Sequence, residues 1–231
     1  FVATHRDMLI VISAGNEGQA STRLNSKPGF VDWLSLSSPA SCKNALTVGA
    51  SRSSRTAGGL AGMTYGDAWP HDFPDPPIKS QNVSGDPEAI AAFSSRGPCD
   101  DRRIKPDLVA PGTDIASTKS SRAPLRNFWG PYPGNGLYAF MGGTSMAAPL
   151  VTGCAALVRE YFVKGRNHKP SAALLKAALI NSTRWLTAAD AIADFALRPN
   201  FNQGFGLLDM SRAIPNGGAP NFQVEFVDTW E

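Results

Sequence analysis

An uninterrupted apolar run, MLIVI at 8–12, gives way at once to the polar, glycine-bearing SAGNEG of 13–18. Continuous rather than alternating hydrophobicity marks a strand covered on both faces, the habit of parallel sheets flanked by helices. ALTVGA at 45–50 repeats the pattern, and short runs at 91–95, 107–110 and 138–141 have the same strand character. Residues 1–7 read as the end of a helix. Helical length is reached at 145–162, where Gly153 is expected to permit close packing and Cys154 reads as a small buried thiol. A second helix is expected from Lys169-Pro-Ser171 to about residue 180, with Ser171 as its N-cap. Between 56 and 88 the sequence turns to Gly, Pro, Asp and Ser, with prolines at 70, 74, 76, 77 and 87, so a long irregular loop is expected there. Strands alternating with helices predict an α/β fold of three layers, α/β/α, around a mostly parallel sheet.

Composition changes this picture little. The 231 residues suit one large domain, and 42% hydrophobic with 18% charged residues is ordinary for a globular chain. Lys plus Arg number 22 against 19 Asp plus Glu, a net +3 spread along the chain; no stripe suits nucleic acid. No apolar run reaches the 18 to 20 or so residues of a membrane span. Cys42, Cys99 and Cys154 match no metal pattern, and Cys42 with Cys99 could form a bridge. Sequons stand at Asn82 and Asn181, a pattern short enough to arise by chance.

The chemistry concentrates in MGGTSMAAP at 141–149, which sets Ser145 between two glycines and an apolar helix. By itself such a serine could simply cap the helix. The junction also suits a nucleophile, because helix N-terminal N–H groups and positive potential would favour an oxyanion. The longer pattern decides between these. The stretch 141–149 resembles, nearly letter for letter, the serine motif of the subtilases, the subtilisin-like serine peptidases. SAGNEG at 13–18 resembles that family's oxyanion-hole segment. FSSRGP at 93–98 with KPDLVAPG at 105–112 resembles its connecting signature, and GFGLLD at 204–209 its closing strand. The four motifs stand in family order, most like the larger, multidomain secreted branch.

The resemblance implies an endopeptidase working through an acyl-enzyme on Ser145, with the Asn16 amide and the Ser145 N–H as oxyanion hole. Ser13, Ala14 and Gly15 would wall the substrate's acyl side, with Thr144 and Met146 flanking the nucleophile. Chemistry would need no cofactor. The family commonly binds structural calcium, for which Asp67, Asp72, Asp75 and Asp86 offer oxygen ligands. Asp107 and Asp114 are set aside as the triad acid. Residues 1–213 would be the C-terminal part of the peptidase domain, with 56–90 inserted, and 214–231 a linker or the start of a β-domain. A secreted or extracytoplasmic location is the family's expectation.

One departure matters. The family's Asp-x-Gly and His-Gly-Thr signatures are absent, and His5, His71 and His168 all read as solvated or structural. The expectation is that an N-terminal segment outside this sequence carries the Asp and His, so that the chain alone is nearly inactive. A degenerate subtilase used as a scaffold and a subtilase-fold acyl transferase are the alternatives. An α/β-hydrolase elbow, Gly-x-Ser-x-Gly, fails at Ala147.

Overall fold

The computed structural model describes residues 4–25, 27–193, 197–214 and 225–228. Strands β1 (Val11–Ser13), β2 (Leu46–Ser51) and β3 (Leu108–Pro111) form a parallel sheet in the order β1-β2-β3. Val11 faces Leu46 and Val48 faces Leu108 across it, and all six residues of β2 are buried. A second, antiparallel sheet of β4 (Ile115–Thr118), β5 (Gly130–Pro131) and β6 (Tyr138–Met141) has the order β4-β6-β5 and delivers the chain to the glycines. The 138–141 strand is therefore real but antiparallel, outside the parallel sheet.

Helix α2 (Thr144–Glu160) lies along the parallel sheet and touches all three strands. It buries Ala147, Val151, Ala155 and Val158, a spacing of about one turn that sets them on one face. A π-helical turn, Tyr161–Gly165, extends it. The combined helix, Thr144–Gly165, has 22 residues and mean hydropathy 1.3, so it is long and apolar enough to cross a membrane, contrary to the expectation from apolar runs alone. In the structure it packs on the sheet. Helix α3 (Ala172–Asn181) follows, capped as expected by the Ser171 hydroxyl accepting from the Leu174 N–H.

The proline-rich segment holds one short helix, α1 (Tyr65–Ala68), closed by a Thr64–Asp67 capping box, and a 3-10 turn at Ile78–Ser80. Buried Tyr65 fastens α1 to the body: its hydroxyl donates to the Val83 C=O and accepts from the Ala92 N–H. A last helix, α4 (Met210–Ala213), precedes residues 215–224, which with 229–231 lie outside the described residues, as does most of the expected linker.

Several expectations need correction. Residues 4–7 are turns, not the end of a helix. The first strand spans Val11–Ser13 rather than 8–12, because pairing begins where β2 begins, opposite Leu46. Residues 91–95 are buried but form no strand: Ser94 N–H turns back to the Ala91 C=O, and the Ser94 hydroxyl takes the Ala50 N–H that a ladder would have used. Gly153 faces open space, so close packing does not explain it, and Cys154 is half-buried. All three cysteines are free thiols, which leaves the Cys42–Cys99 bridge unformed.

Candidate active site

The site forms where the loop after β1 meets the N-terminus of α2. Gly15 holds φ +111°, a left-handed conformation open to glycine. A Cβ there would lie 2.3 Å from the Ser37 Oγ and 2.8 Å from the Ser95 Oγ. Three bonds from the FSSRGP segment brace this loop. Ser95 N–H donates to the Gly15 C=O, Glu17 N–H to the Ser95 Oγ, and Gly18 N–H to the Phe93 C=O. The segment's role here is structural, as its sequence suggests.

On the other side, β6 passes through Gly142 and Gly143 into α2. Gly143 takes φ +142° and donates its N–H to the Gly112 C=O at 2.8 Å. Thr144, fully buried, then joins the two halves. Its N–H donates to the Asn16 Oδ1 at 2.8 Å and its hydroxyl to the same oxygen at 3.1 Å, while that hydroxyl accepts from the Gly15 N–H at 3.2 Å. A backbone N–H can only donate, so the Asn16 oxygen is fixed inward and the amide NH₂ is its free end. A Cβ on Gly143 would stand 3.4 Å from that nitrogen.

Ser145 follows, exposed, in the first turn of α2. First-turn N–H groups lack intrahelical acceptors. Thr144 gives its N–H to Asn16 and Met146 gives its own to the Gly143 C=O, so Asn16 is held against the residue that precedes Ser145. The exposed Ser145 thus stands at the positive end of α2, one residue from the Thr144 that binds Asn16.

The other expected residues divide. Ser13 and Gly15 are half-buried, but Ala14 is fully buried, with its N–H on the Val48 C=O and its C=O taken by the Ser37 N–H. Ala14 therefore offers no surface for a substrate wall. Met146 is half-buried near Gly143. No described residue is hydrogen-bonded to the Ser145 side chain. His5 and His71 are exposed, and His168 binds the Asp228 Oδ2 at 2.9 Å. Asp228 also accepts from the Ser171 hydroxyl at 2.6 Å, yet that group caps α3 and does not touch the imidazole, so the cluster is no triad.

The acids have structural work. Asp107 pairs with buried Lys105 at 2.6 Å and with Lys176 at 3.1 Å. Asp114, buried, binds the Ser84 hydroxyl and the Leu60 N–H, fastening the inserted segment to the loop after β3; burial pushes its carboxyl above the ordinary range, against those bonds and Arg55. The four loop aspartates are dispersed. Asp67 caps α1, Asp72 accepts from Gln19, Asp86 accepts from the Glu88 N–H and Asp75 is exposed; among the described residues no three His, Cys, Asp or Glu side chains gather.

Two features escaped the sequence reading. One is the clamp made by Thr144, which depends on a contact spanning 128 residues. The other is an aromatic cleft beside Gly142, built from residues that are far apart in the chain.

The subtilase family profile, Peptidase_S8, matches residues 1–206. The chain is similar to the serine protease/ABC transporter B family protein tagD of Dictyostelium discoideum, 35% identical over 145 residues, 53% of this chain and 8% of that protein. It is similar also to the minor extracellular protease Vpr of Bacillus subtilis, 35% identical over 128 residues, 55% of this chain and 14% of that one. The chain thus spans a small part of the length of these relatives. A solved lanthipeptide protease shares the fold with TM-score 0.53 at 20% identity, over 92% of this chain and 51% of the other.

Proposed function

The chain belongs to the subtilase family, and from that membership we propose that it carries the nucleophile and oxyanion hole of a serine endopeptidase. The observation that carries the reading is the clamp of Thr144 on Asn16, which fixes the Asn16 oxygen at the residue preceding Ser145 and turns its amide NH₂ away from that contact. Ser145 Oγ attacks the peptide carbonyl, and the oxygen that gains charge is met by the Asn16 Nδ2–H and the Ser145 N–H. The tetrahedral species collapses to an acyl-enzyme and releases the amine. Water then adds to the ester carbonyl and frees Ser145.

Both steps need a base: in acylation it takes the Ser145 proton and gives it to the leaving amine, and in deacylation it takes a proton from water and gives it to the Ser145 oxygen. That base and its orienting acid come from a segment outside this sequence. The surface of α2 supports the assignment. Leu150 and Leu157 of α2 are 42 and 52% exposed, Val163 of the π-helical turn 44%, and Met8, ahead of β1, 46%. Exposed apolar side chains of this kind offer an interaction surface, and β1 is an outer strand of the described parallel sheet. The companion segment covers part of this surface and brings its Asp and His to Ser145. The substrate is a polypeptide, and the protein acts outside the cytoplasm, in keeping with the extracellular relative. The test is hydrolysis of a quenched peptide by the full-length protein carrying this chain, with cleavage expected in the unmodified protein and lost in Ser145→Ala. Cleavage that survives Ser145→Ala would overturn the proposal.

A further inference from the structure

Next to Asn16 and Gly143 lies a cleft of about 210 Å³ whose walls are Trp69, Phe73, Phe93 and Trp129. The rings form one connected set, with centroids 5.8 Å apart for Trp69–Trp129, 6.1 Å for Trp69–Phe93 and 6.0 Å for Phe93–Trp129. Trp129 lies flat against Gly142, where a Cβ would come within 1.8 Å of its ring. Glycine at that position therefore lets an indole reach the backbone just before the nucleophile. At the rim the Gln19 amide donates to the Asp72 carboxylate at 2.9 Å. Trp69 and Phe73 come from the inserted, proline-rich segment, and Trp129 from the stretch between β4 and β6.

The lining gives the cleft its side of the substrate. Asn16, Gly18 and Gln19 line it, whereas Ser13 and Gly15, which the resemblance puts on the acyl side, do not. A carbonyl oxygen held at Asn16 puts the departing half of the peptide on the cleft side. We propose that this cleft binds an apolar side chain, aromatic or branched, at one of the first two positions of the leaving group, so that the inserted segment is a specificity element. The inference rests on the reading of Ser145 as nucleophile. Its volume suits one large side chain, the rings supply apolar surface and edge-to-face partners, and Asp72 at the mouth disfavours an acidic one.

The experiment uses the full-length protein with quenched peptides that differ only at those two positions, varied in turn among Phe, Leu, Ala and Asp. A methyl ester of the same acyl part, whose leaving group is too small to fill the cleft, reports Ser145 chemistry separately. At one position Phe and Leu should exceed Ala in kcat/KM by about 10- to 100-fold, with Asp below Ala. Trp69→Ala should bring the Phe-to-Ala ratio near one. Trp69→Leu, which keeps an apolar side chain in the cluster, should lower that ratio and decides the matter if Trp69→Ala does not fold. Ester turnover with equal rates for Phe and Ala at both positions overturns the cleft and leaves Ser145 standing. A ratio unchanged in the folded Trp69 variants overturns the cleft as its cause. Absence of both ester and peptide turnover overturns the reading of Ser145, and the inference with it.

Discussion

Thr144 directs its N–H and its hydroxyl to a single oxygen of Asn16, so the orientation of one amide depends on two bonds of different kinds. Thr144→Val keeps the shape and the N–H but loses the hydroxyl and its bond from the Gly15 N–H. Asn16→Ala removes the donor itself. In a subtilisin, the source of the figure, losing such a donor costs about 100- to 1,000-fold in kcat. Pre-steady-state acylation of the full-length protein should show Asn16→Ala within that range and Thr144→Val falling by less. Equal losses would mean that the hydroxyl alone sets the amide. Asp114 makes a prediction of a different sort. Burial raises its folded pKa above that of the unfolded chain, so its contribution to stability is fully present below the ordinary carboxylate range and is lost as pH rises through the raised value. Denaturation midpoints should show unmodified protein losing ground to Asp114→Asn as pH rises above the ordinary carboxylate range, and a pH-independent difference would contradict this. At this scale the two segments that meet, 13–18 and 141–149, were legible because each is a distinctive local pattern. The fixed face of the Asn16 amide was not, since it depends on Thr144, 128 residues away.

Elements meet through a few buried polar side chains. Lys105, nearly fully buried, gives its ammonium to the Asp107 carboxylate, the Ala45 C=O and the Thr47 hydroxyl, tying the entry of β2 to that of β3. Lys176 of α3 binds the other oxygen of Asp107. Lys105→Ala would leave a buried carboxylate with less compensation, and should destabilise by about 3 kcal/mol in denaturant titrations; a change under about 0.5 kcal/mol would show the pair contributes nothing. The sequence reading saw only positive charge spread along the chain and did not find this buried pair, because a charge in the chain does not announce its own burial. Strand β2 was legible as a continuous apolar run. The segment 91–95 looked like another because its residues are equally buried, and what distinguishes it is where its N–H groups go. The antiparallel pairing of β6 was hidden for a related reason: period and composition give a strand but not its partner.

On the scale of the whole chain, the proposed nucleophile and oxyanion hole stand at the N-terminus of a helix whose surface remains partly uncovered. Leu150 and Leu157 of α2 and Val163 of the π-helical turn are exposed, whereas Ala147, Val151, Ala155 and Val158 are buried. The central claim is that Ser145 is built to act but takes its base from a companion segment. Loss of the catalytic histidine costs a subtilisin about 10⁶-fold in kcat, so the two states are easily told apart. The most direct measurement is fluorophosphonate labelling of this chain alone and of the full-length protein, each beside Ser145→Ala, with the modified residue located by peptide mass. The account predicts rapid modification of Ser145 in the full-length protein, none in the Ser145→Ala variant, and almost none in the chain alone. Rapid modification of Ser145 in the chain alone, with intact mass showing no second polypeptide, would contradict it and place the base among His5, His71 and His168.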